Sequence, residues 1–208
     1  MQAASFHVEQ AVNTFLTDML ESDFTDVLLI DSDESWNAAD VVRLLLHPEE
    51  IVGASYRMKN RWDEYVGQIV YKDGHPDGKL LADGTPLLKA DRVAGGFMRI
   101  KVSALKKWAE AYPERIDDGG RQLVPFFSRV VFDGVAHCND MAFCRKWQDI
   151  GGEMWLDPNI NIDHWGFEQH AGDLNGYLRV KHTPKPDIHA AFDTVREMAA
   201  RIEARKVA

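Results

Sequence analysis

Two aspartates separated by one residue, Asp31 and Asp33, follow the apolar run Val27–Ile30. Carboxylates spaced in this way after a strand can hold a hard divalent cation, and Mg²⁺ or Mn²⁺ can in turn hold a diphosphate. In open α/β sheets, ligands bind beyond the carboxyl ends of the strands, where this pair is expected to lie. The alternative is an acidic turn that only caps the following helix, and the motif alone does not separate the two interpretations.

A third aspartate, Asp140, stands beside Asn139 at the start of a predicted helix. A carboxylate in that position can act as a helix cap, because negative charge is favourable at the positive end of the helix dipole. It can also take a proton from a hydroxyl group as a general base. The residues alone leave both roles open.

His164 lies between Asp163 and the aromatic, flexible dipeptide Trp165-Gly166, a neighbourhood typical of a loop that leaves a strand. An imidazole can ligate a metal ion, although a single histidine is more often a surface residue or a hydrogen-bonded core residue. Asp163 is a competing ligand in the same segment. His164 is therefore a candidate ligand rather than an assigned one.

The glycine pair Gly95-Gly96 precedes a predicted strand that begins at Phe97. Because glycine has no Cβ, such a pair lets the backbone approach a ligand closely. The commoner explanation of a glycine pair is a tight turn. The sequence is compatible with both explanations.

Apolar periodicity places these residues on helices and strands. Apolar residues at helical spacing from Val8 to Leu20 predict a helix that ends near Ser22, and Asn37 can cap a second helix that Pro48 closes. The other predicted helices are 103–112, 139–150 and 187–206, and the predicted strands are Val27–Ile30, Ile51–Tyr56, Phe97–Lys101 and Glu153–Leu156.

Strands that alternate with helices predict an α/β fold built on one sheet. The continuous apolar run Val27–Ile30 is typical of a strand buried on both faces, as in a parallel core. The turn-rich segment 72–78 predicts a hairpin outside that core, whereas 114–136 fits no element. The last helix, 187–206, carries an apolar stripe that can dock on the rest, so we treat 1–208 as a single domain.

Composition restricts the class of protein. The 208 residues are enough for one α/β core, and the formal net charge of −9 disfavours non-specific nucleic-acid binding. Cys138 and Cys144 fall on what reads as one helix, at a spacing that fits neither a zinc pair nor a disulfide, so we expect reduced thiols and a cytoplasmic protein. No apolar run approaches the roughly 18 residues that span a bilayer, and the N-terminus lacks a signal-peptide pattern.

Seven segments in chain order carry a resemblance. They are the helix with Asn13, VLLIDSD at 27–33 with Trp36, IVGASY at 51–56 with Lys59, GGFMRI at 95–100, NDMAFCRKW at 139–147, GGEMWLDP at 151–158 and HWG at 164–166. Taken together they resemble the GT-A glycosyltransferases related to the large inverting family two, especially bacterial and phage members. The resemblance covers roughly residues 8–178, and the ordered set is far more specific than any one motif.

The resemblance implies a GT-A-like, Rossmann-like mixed sheet flanked by helices, and an inverting enzyme that moves a sugar from a nucleotide-diphosphate donor to an acceptor hydroxyl. It implies that Mn²⁺ or Mg²⁺ holds the donor phosphates on Asp33, with Asp31 nearer the ribose or the metal waters and His164 completing the coordination. Asp140 corresponds to the base toward the acceptor, and the loop Gly95-Gly96-Phe97 shapes the donor-sugar and acceptor pocket. The acceptor would be a glycan, or a modified nucleic acid if the source is a phage.

Three features depart from the family pattern. The usual Glu-Asp pair is Asn139-Asp140 here, and Val12 replaces the usual arginine before Asn13. Family members also begin with a strand-helix-strand portion that binds the nucleotide base, whereas only a few residues precede the helix with Asn13. A chain truncated at the front would need a partner chain or a second copy of itself to cover its N-terminal edge.

Two other functions compete with the glycosyltransferase. A non-catalytic or partner-dependent GT-A-like subunit would bind nucleotide sugar without turning it over. A metal-dependent nucleotidyl or phosphoryl transfer enzyme would also use the acidic strand end, but no glycine-rich phosphate loop with a following lysine supports it. The identity of the sugar and of the nucleotide stays open.

Overall fold

The computed structural model describes residues 2–60, 64–132, 134–137, 139–167 and 169–182. The chain divides into two compact units, Met1–Asn175 and Gly176–Ala208. The predicted last helix, 187–206, lies outside the described residues, and the single-domain prediction stays a prediction. Within the described residues, no helix is long and apolar enough to cross a membrane.

Five helices and sixteen mostly short strands make up the described secondary structure. The helices are α1 (Gln2–Met19), α2 (Ala38–Leu46), α3 (Val102–Ala111), α4 (Asn139–Asp149) and α5 (Leu174–His182). The strands are β1 (Asp26–Ile30), β2 (Glu34–Ser35), β3 (Ile51–Gly53), β4 (Gln68–Ile69), β5 (Tyr71–Lys72), β6 (His75–Pro76), β7 (Gly78–Leu80), β8 (Pro86–Arg92), β9 (Phe97–Lys101), β10 (Ile116–Asp118), β11 (Arg121–Leu123), β12 (Val130–Phe132), β13 (Val135–His137), β14 (Met154–Leu156), β15 (Asp163–Trp165) and β16 (Gln169–His170).

The main sheet is mixed and mostly antiparallel. Seven strands form it in the order β1-β9-β3-β14-β8-β4, with β7 also paired to β8. In the described residues, β3 and β14 run parallel, while the other neighbours in this sheet run antiparallel. The α/β class expected from the sequence is confirmed, but the parallel core is wrong. Strand β9 lies between β1 and β3 and runs antiparallel to both. Strands β1 and β3 therefore run in the same direction, and α2 lies between them in the chain.

Strand β1 lies at the edge of the main sheet and is less buried than the sequence indicated. Val27 is buried, whereas Leu28, Leu29 and Ile30 are half-buried, so the prediction that Val27–Ile30 is buried on both faces is wrong. Leu28 and Ile30 pack against the buried core. A continuous apolar run does not reveal how completely each face of a strand is covered, which is why the sequence pattern failed here.

The segment 60–93 contributes more to the sheet than the sequence indicated. The hairpin of β5 and β6 forms at the turn-rich residues, with Tyr71 opposite Pro76. Strand β8, however, runs inside the main sheet between β14 and β4, and its residues Leu87, Leu88 and Ala90 are buried. The predicted hairpin therefore forms a separate two-stranded sheet, but the flanking strands β4 and β7 join the main sheet through β8, and that part of the prediction is wrong.

An aromatic cluster fills the space between α3, α4 and the segment that the sequence left unassigned. Trp108 packs on Phe126 at a ring-centroid distance of 5.0 Å, and Phe127 stacks on Phe143 at 5.1 Å. The Asn13 side chain ties α1 to this cluster, because its amide donates to the Phe127 carbonyl at 2.8 Å and accepts from the Phe127 N–H at 2.7 Å. Residues 114–136 form two hairpins, β10–β11 and β12–β13, around these aromatic residues.

A buried charge network joins α2 to the end of β14. Asp157 is fully buried and accepts hydrogen bonds from Arg43 Nε at 2.5 Å and His47 Nε2 at 2.8 Å, as well as from the Asn159 N–H. Burial raises the pKa of the Asp157 carboxyl, but the hydrogen bonds from His47 and Arg43 outweigh it and leave the pKa below its usual range. The carboxylate therefore stabilises the fold in its ionised form.

Replacing the buried carboxylate by an amide tests this network. We expect Asp157→Asn to lower the free energy of unfolding by about 3 kcal/mol at neutral pH, because it leaves buried donors without a charged acceptor. The folded pKa lies below the unfolded value of about 3.9, so this contribution is present above pH ~4 and is lost as the pH falls through the folded pKa. Urea titrations of both proteins should show that the difference between their free energies of unfolding becomes smaller at low pH.

The matched control is Asp83→Asn, which removes the exposed partner of the same Arg43 side chain. This variant should unfold close to the wild-type midpoint, since exposed ion pairs contribute little. An Asp157→Asn protein as stable as the wild type would show that the network does not hold α2 to β14.

Candidate active site

The first acidic residue of the site is placed by the sheet itself. Strand β1 pairs with β9 along its whole length, with Ile30 opposite Phe97, and the pairing continues as the Asp31 N–H donates to the Gly96 carbonyl at 2.8 Å. Because the two strands are antiparallel, the end of β1 lies beside the start of β9. Asp31 and the pair Gly95-Gly96 therefore meet at one end of the sheet.

A second, three-stranded sheet brings His164 to the same place. Strand β15 pairs with β2 so that His164 lies opposite Glu34, and the Trp165 N–H donates to the Asp33 carbonyl at 2.8 Å. His164 is thus the central residue of a short strand, and the prediction of a loop at this position is wrong. Two segments that are distant in the sequence are joined here by backbone hydrogen bonds.

The Asp33 carboxylate faces two nitrogen groups. The Lys59 ammonium donates to Asp33 Oδ2, and His164 Nε2 lies 3.9 Å from the same oxygen. The hydrogen bond from Lys59 holds the pKa of Asp33 below its usual range. Asp33 is therefore ionised at neutral pH.

The orientation of His164 is set by its other nitrogen. His164 Nδ1 lies 2.9 Å from the Arg57 carbonyl oxygen, which can only accept, so Nδ1 carries the proton of this hydrogen bond. In the neutral ring, Nε2 then turns a lone pair toward Asp33. A lone pair facing a carboxylate is favourable only when a proton or a metal ion lies between them, and this is how the backbone orients many metal-ligating histidines.

The glycine pair allows acidic groups to approach the backbone. A Cβ on Gly96 would lie 2.5 Å from Glu34 Oε1 and 2.8 Å from Asp31 Oδ2, and it would also contact the Tyr56 hydroxyl. A Cβ on Gly95 would lie 3.4 Å from the Asp140 Cβ. Neither glycine has a positive φ angle, so the turn itself does not require glycine. The close approach of these side chains accounts for Gly96, and close approach of a ligand to the glycine pair stays a prediction.

Burial and mutual repulsion favour the protonated forms of the acidic groups around Gly96. Burial, followed by the negative charge of Asp31, raises the pKa of Glu34 to about 8, and burial and Asp33 raise the pKa of Asp31. Both carboxylate oxygens of Glu34 are buried, and the hydrogen bond from the Tyr56 hydroxyl lowers the pKa of Glu34 by less than burial and Asp31 raise it. Burial and the charge of Glu34 also raise the pKa of the Tyr56 hydroxyl. A cation bound at this point would be stabilised by all of these groups.

Asp140 is held at the start of α4, on the other side of the glycine pair. Its Oδ2 accepts the Gly95 N–H at 3.0 Å, and its Oδ1 accepts the Met141 N–H at 2.8 Å. Asp140 lies in the first turn of α4, where its negative charge is favourable at the positive end of the helix dipole. Each carboxylate oxygen has a second lone pair, so these contacts leave sites for a further donor.

A cavity of about 340 Å³ opens beside these residues. Asp31 and Asp140 line it together with apolar residues of α1 and β1, including Val12 and Leu29. Its volume lies in the range of about 300–1,000 Å³ that is usual for small-molecule sites. The cavity can therefore take a ligand with both an apolar part and a group that reaches the acidic end of β1.

The predicted metal ligands are only partly assembled. Octahedral ligands about 2.1 Å from one Mg²⁺ lie about 3 Å apart in adjacent positions and about 4.2 Å apart in opposite positions, and the Asp33–His164 separation of 3.9 Å corresponds to neither. Asp31 turns toward Gly96 and the cavity instead. In the part of the chain that the structure describes, no group of three or more His, Cys, Asp or Glu side chains is placed to hold a metal ion.

The structure also places residues that the sequence interpretation treated differently. Phe97 is fully buried in the core, so its backbone and not its side chain borders the site. Asp163, the competing ligand, accepts from Gln169 Nε2 and the Gly172 N–H. Cys144 is buried and free, while Cys138 lies outside the described residues.

Three residues of the site escaped sequence reasoning as site residues: Glu34, Tyr56 and Lys59. Glu34 directly follows the aspartate pair, and its charge was the one signal that could have included it. Tyr56 lies edge-on to the His164 ring at a centroid distance of 4.8 Å. Nothing in the spacing of Tyr56 or Lys59 indicates that these side chains turn toward the end of β1.

Comparisons with known proteins leave the family open. No protein-family model matches the chain, and no curated protein matches it. Among solved structures, the chain matches a crystal structure of A197 from STIV, with 15% identity and a TM-score of 0.44 over 78% of this chain and 68% of that chain. A similarity this distant assigns neither a family nor an activity. The GT-A fold and the cytoplasmic location stay predictions.

Alanine substitutions of the two glycines test the geometry of the site. We expect Gly96→Ala to weaken the binding of a metal-bound nucleoside diphosphate about tenfold or more, since the methyl group forces Asp31 and Glu34 apart. Gly95→Ala is the matched control, because its Cβ meets neighbours at 3.3 Å and 3.4 Å and should change the affinity by no more than about threefold. Isothermal titration calorimetry on both variants measures the difference, and equal affinities would refute the assigned role of Gly96.

Proposed function

We propose that this chain is a metal-dependent glycosyltransferase of the GT-A type, which moves a sugar from a nucleotide-diphosphate donor to an acceptor hydroxyl. The observation that carries the proposal is the meeting of Asp33 with His164, beside Asp31 and Asp140, at the end of β1. The sequence resemblance gives the order of these residues along the chain, but it contains no information on the distances between them. Their convergence around the glycine pair supports one site with a donor side and an acceptor side.

The donor side consists of Asp33 and His164, with Asp31 toward the cavity. Asp33 is ionised, and His164 directs Nε2 toward it, so these two residues would hold Mn²⁺ or Mg²⁺. When bound, the divalent ion supplies neutralisation of the negative charge that develops on the departing diphosphate. Asp31 lines the cavity, where it can accept hydrogen bonds from the ribose hydroxyls of the donor.

The acceptor side consists of Asp140. Its carboxylate borders the same cavity as Asp31, and the Gly95 N–H fixes its position. In the proposed reaction, the acceptor oxygen forms a bond to the anomeric carbon while the bond from that carbon to the diphosphate oxygen breaks. The hydroxyl proton passes to a free lone pair of the Asp140 carboxylate, and the nucleoside diphosphate leaves with the electron pair.

A second candidate function is a non-catalytic or partner-dependent subunit of the same fold, which binds nucleotide sugar without turning it over. The observation in its favour is that both oxygens of Asp140 already accept backbone N–H groups. In that case Asp140 is a helix cap, and the donor side alone is functional. The partner chain or second copy expected from the sequence belongs to this candidate and stays a prediction.

The donor side is tested by removing the charge of Asp33. We expect Mn²⁺ together with a nucleoside diphosphate to raise the melting temperature of the wild type, since ligands that bind only the folded state stabilise it. Asp33→Asn should abolish this increase, because the amide is a poor ligand for a hard cation.

Asp18→Asn serves as the control, since Asp18 is an exposed aspartate paired with Arg121 away from the site. It should respond like the wild type in the same thermal-shift titration over a panel of nucleoside diphosphates. A wild-type protein that responds to no combination of metal and diphosphate would contradict the donor side altogether.

The acceptor side is tested by Asp140→Asn. The amide keeps the shape of the side chain and one acceptor for the Gly95 N–H, but it cannot take up a proton at neutral pH. We expect the rate of sugar transfer to fall by about 10²-fold or more, with the affinity for the metal-bound diphosphate changed by less than about threefold. Turnover that survives within a few-fold would place the base elsewhere.

The same measurements separate the two candidate functions. A wild-type protein that binds the metal-bound diphosphate and transfers no sugar to any acceptor tested would favour the non-catalytic subunit. Transfer that depends on Asp140 would favour the enzyme.

A further inference from the structure

Lys59 belongs to a segment that carries the resemblance, but neither the sequence nor the proposed reaction assigns it a role. It lies on the loop that follows β3, two residues after Arg57, whose carbonyl oxygen orients His164. Its ammonium donates to Asp33 Oδ2, the oxygen that also faces His164. The Lys59 side chain is 33% exposed, so its stem is not locked in the core.

The charge of Lys59 acts on the whole acidic group. It lowers the pKa of Asp33, and at Asp31 and Glu34 it opposes burial, the larger effect, which leaves the pKa of both groups raised. Lys59 is thus a source of positive charge for all three carboxyl groups.

The position of Lys59 conflicts with occupancy of Asp33 by a metal ion. A metal that takes Asp33 Oδ2 as its ligand must displace the ammonium from that oxygen or crowd against it, and the two cations repel each other. The ammonium is a compact charge on a flexible four-carbon stem with three donors, so it can move to another acceptor. A diphosphate held by the same metal would offer such an acceptor within the site.

We propose that Lys59 exchanges partners during donor binding: it holds Asp33 in the free protein and moves to the diphosphate oxygens when the metal-bound donor enters. This inference rests on the proposed function and adds a donor-binding residue to it. In the exchange, the repulsion between Lys59 and the metal is replaced by two attractions, metal to Asp33 and ammonium to diphosphate. The donor thereby recruits the metal that the free protein binds weakly.

The exchange predicts effects of opposite sign when the ammonium is removed. Lys59→Met should bind Mn²⁺ alone about three- to tenfold more tightly, because the competitor for Asp33 is gone. In saturating Mn²⁺ it should bind the nucleoside diphosphate about tenfold more weakly, because a charge-assisted contact to the diphosphate is lost. A lysine that merely stabilises the fold would produce neither change in affinity.

Isothermal titration calorimetry with Mn²⁺ alone, and then with a nucleoside diphosphate in saturating Mn²⁺, measures both effects without any turnover. Lys59→Arg keeps the positive charge, so it should retain most of the affinity for the diphosphate. Lys107→Met is the matched control, because it removes the same side chain from an exposed ion pair with Glu50 outside the site. It should match the wild type in both titrations, and thermal unfolding confirms that each variant is folded.

The outcomes separate this inference from the function on which it rests. Lower Mn²⁺ affinity in Lys59→Met, or a diphosphate affinity equal to that of the wild type, would overturn the exchange while leaving the metal-dependent site intact. A wild-type protein that binds neither Mn²⁺ nor the diphosphate would overturn the proposed function and the exchange together. Opposite shifts in the affinities for Mn²⁺ and for the diphosphate, seen in Lys59→Met and absent from Lys107→Met, would establish the exchange of partners by Lys59.

Discussion

The repulsion between carboxylates gathered at one end of the sheet is the constraint to which the rest of the site responds. Asp31 and Glu34 both approach the backbone at Gly96, and Asp140 approaches it at Gly95. Partly buried negative charges are costly unless cations or N–H groups compensate them. Lys59 compensates on the Asp33 side, and the Gly95 N–H does so at Asp140. At Glu34, burial and the charge of Asp31 outweigh the hydrogen bond from Tyr56 and the charge of Lys59, so the compensation is incomplete.

The direction of β9 decides whether this gathering occurs. In the parallel core that the sequence suggested, the carboxyl ends of β1 and β9 would meet, and the glycine pair before β9 would lie at the opposite end of the sheet. The observed antiparallel pairing places Gly96 beside Asp31 through a backbone hydrogen bond of 2.8 Å. The correction to the fold is thus also the reason that the predicted glycine and aspartate residues can share one site.

Sequence reasoning succeeded where an apolar run has clear ends. The bounds of β9 agree with the prediction, and α4 ends within one residue of it, because Gly151-Gly152 stops the helix. Reasoning from one segment could not supply pairing direction or position in the sheet, since these depend on partners far along the chain, as for β1 and β8. Lys59 escaped for a related reason: a charged loop residue has no periodicity, and its role follows from the fold around Asp33.

The cavity beside β1 combines two kinds of lining. Val12 of α1 and Leu29 of β1 contribute apolar surface, while Asp31 and Asp140 contribute carboxylates. A ligand with a flat ring and metal-neutralised phosphates can pair with both kinds of lining, whereas a uniformly charged ligand leaves the apolar side chains unpaired. The apolar lining therefore favours the proposed donor class on grounds that are separate from the aspartates.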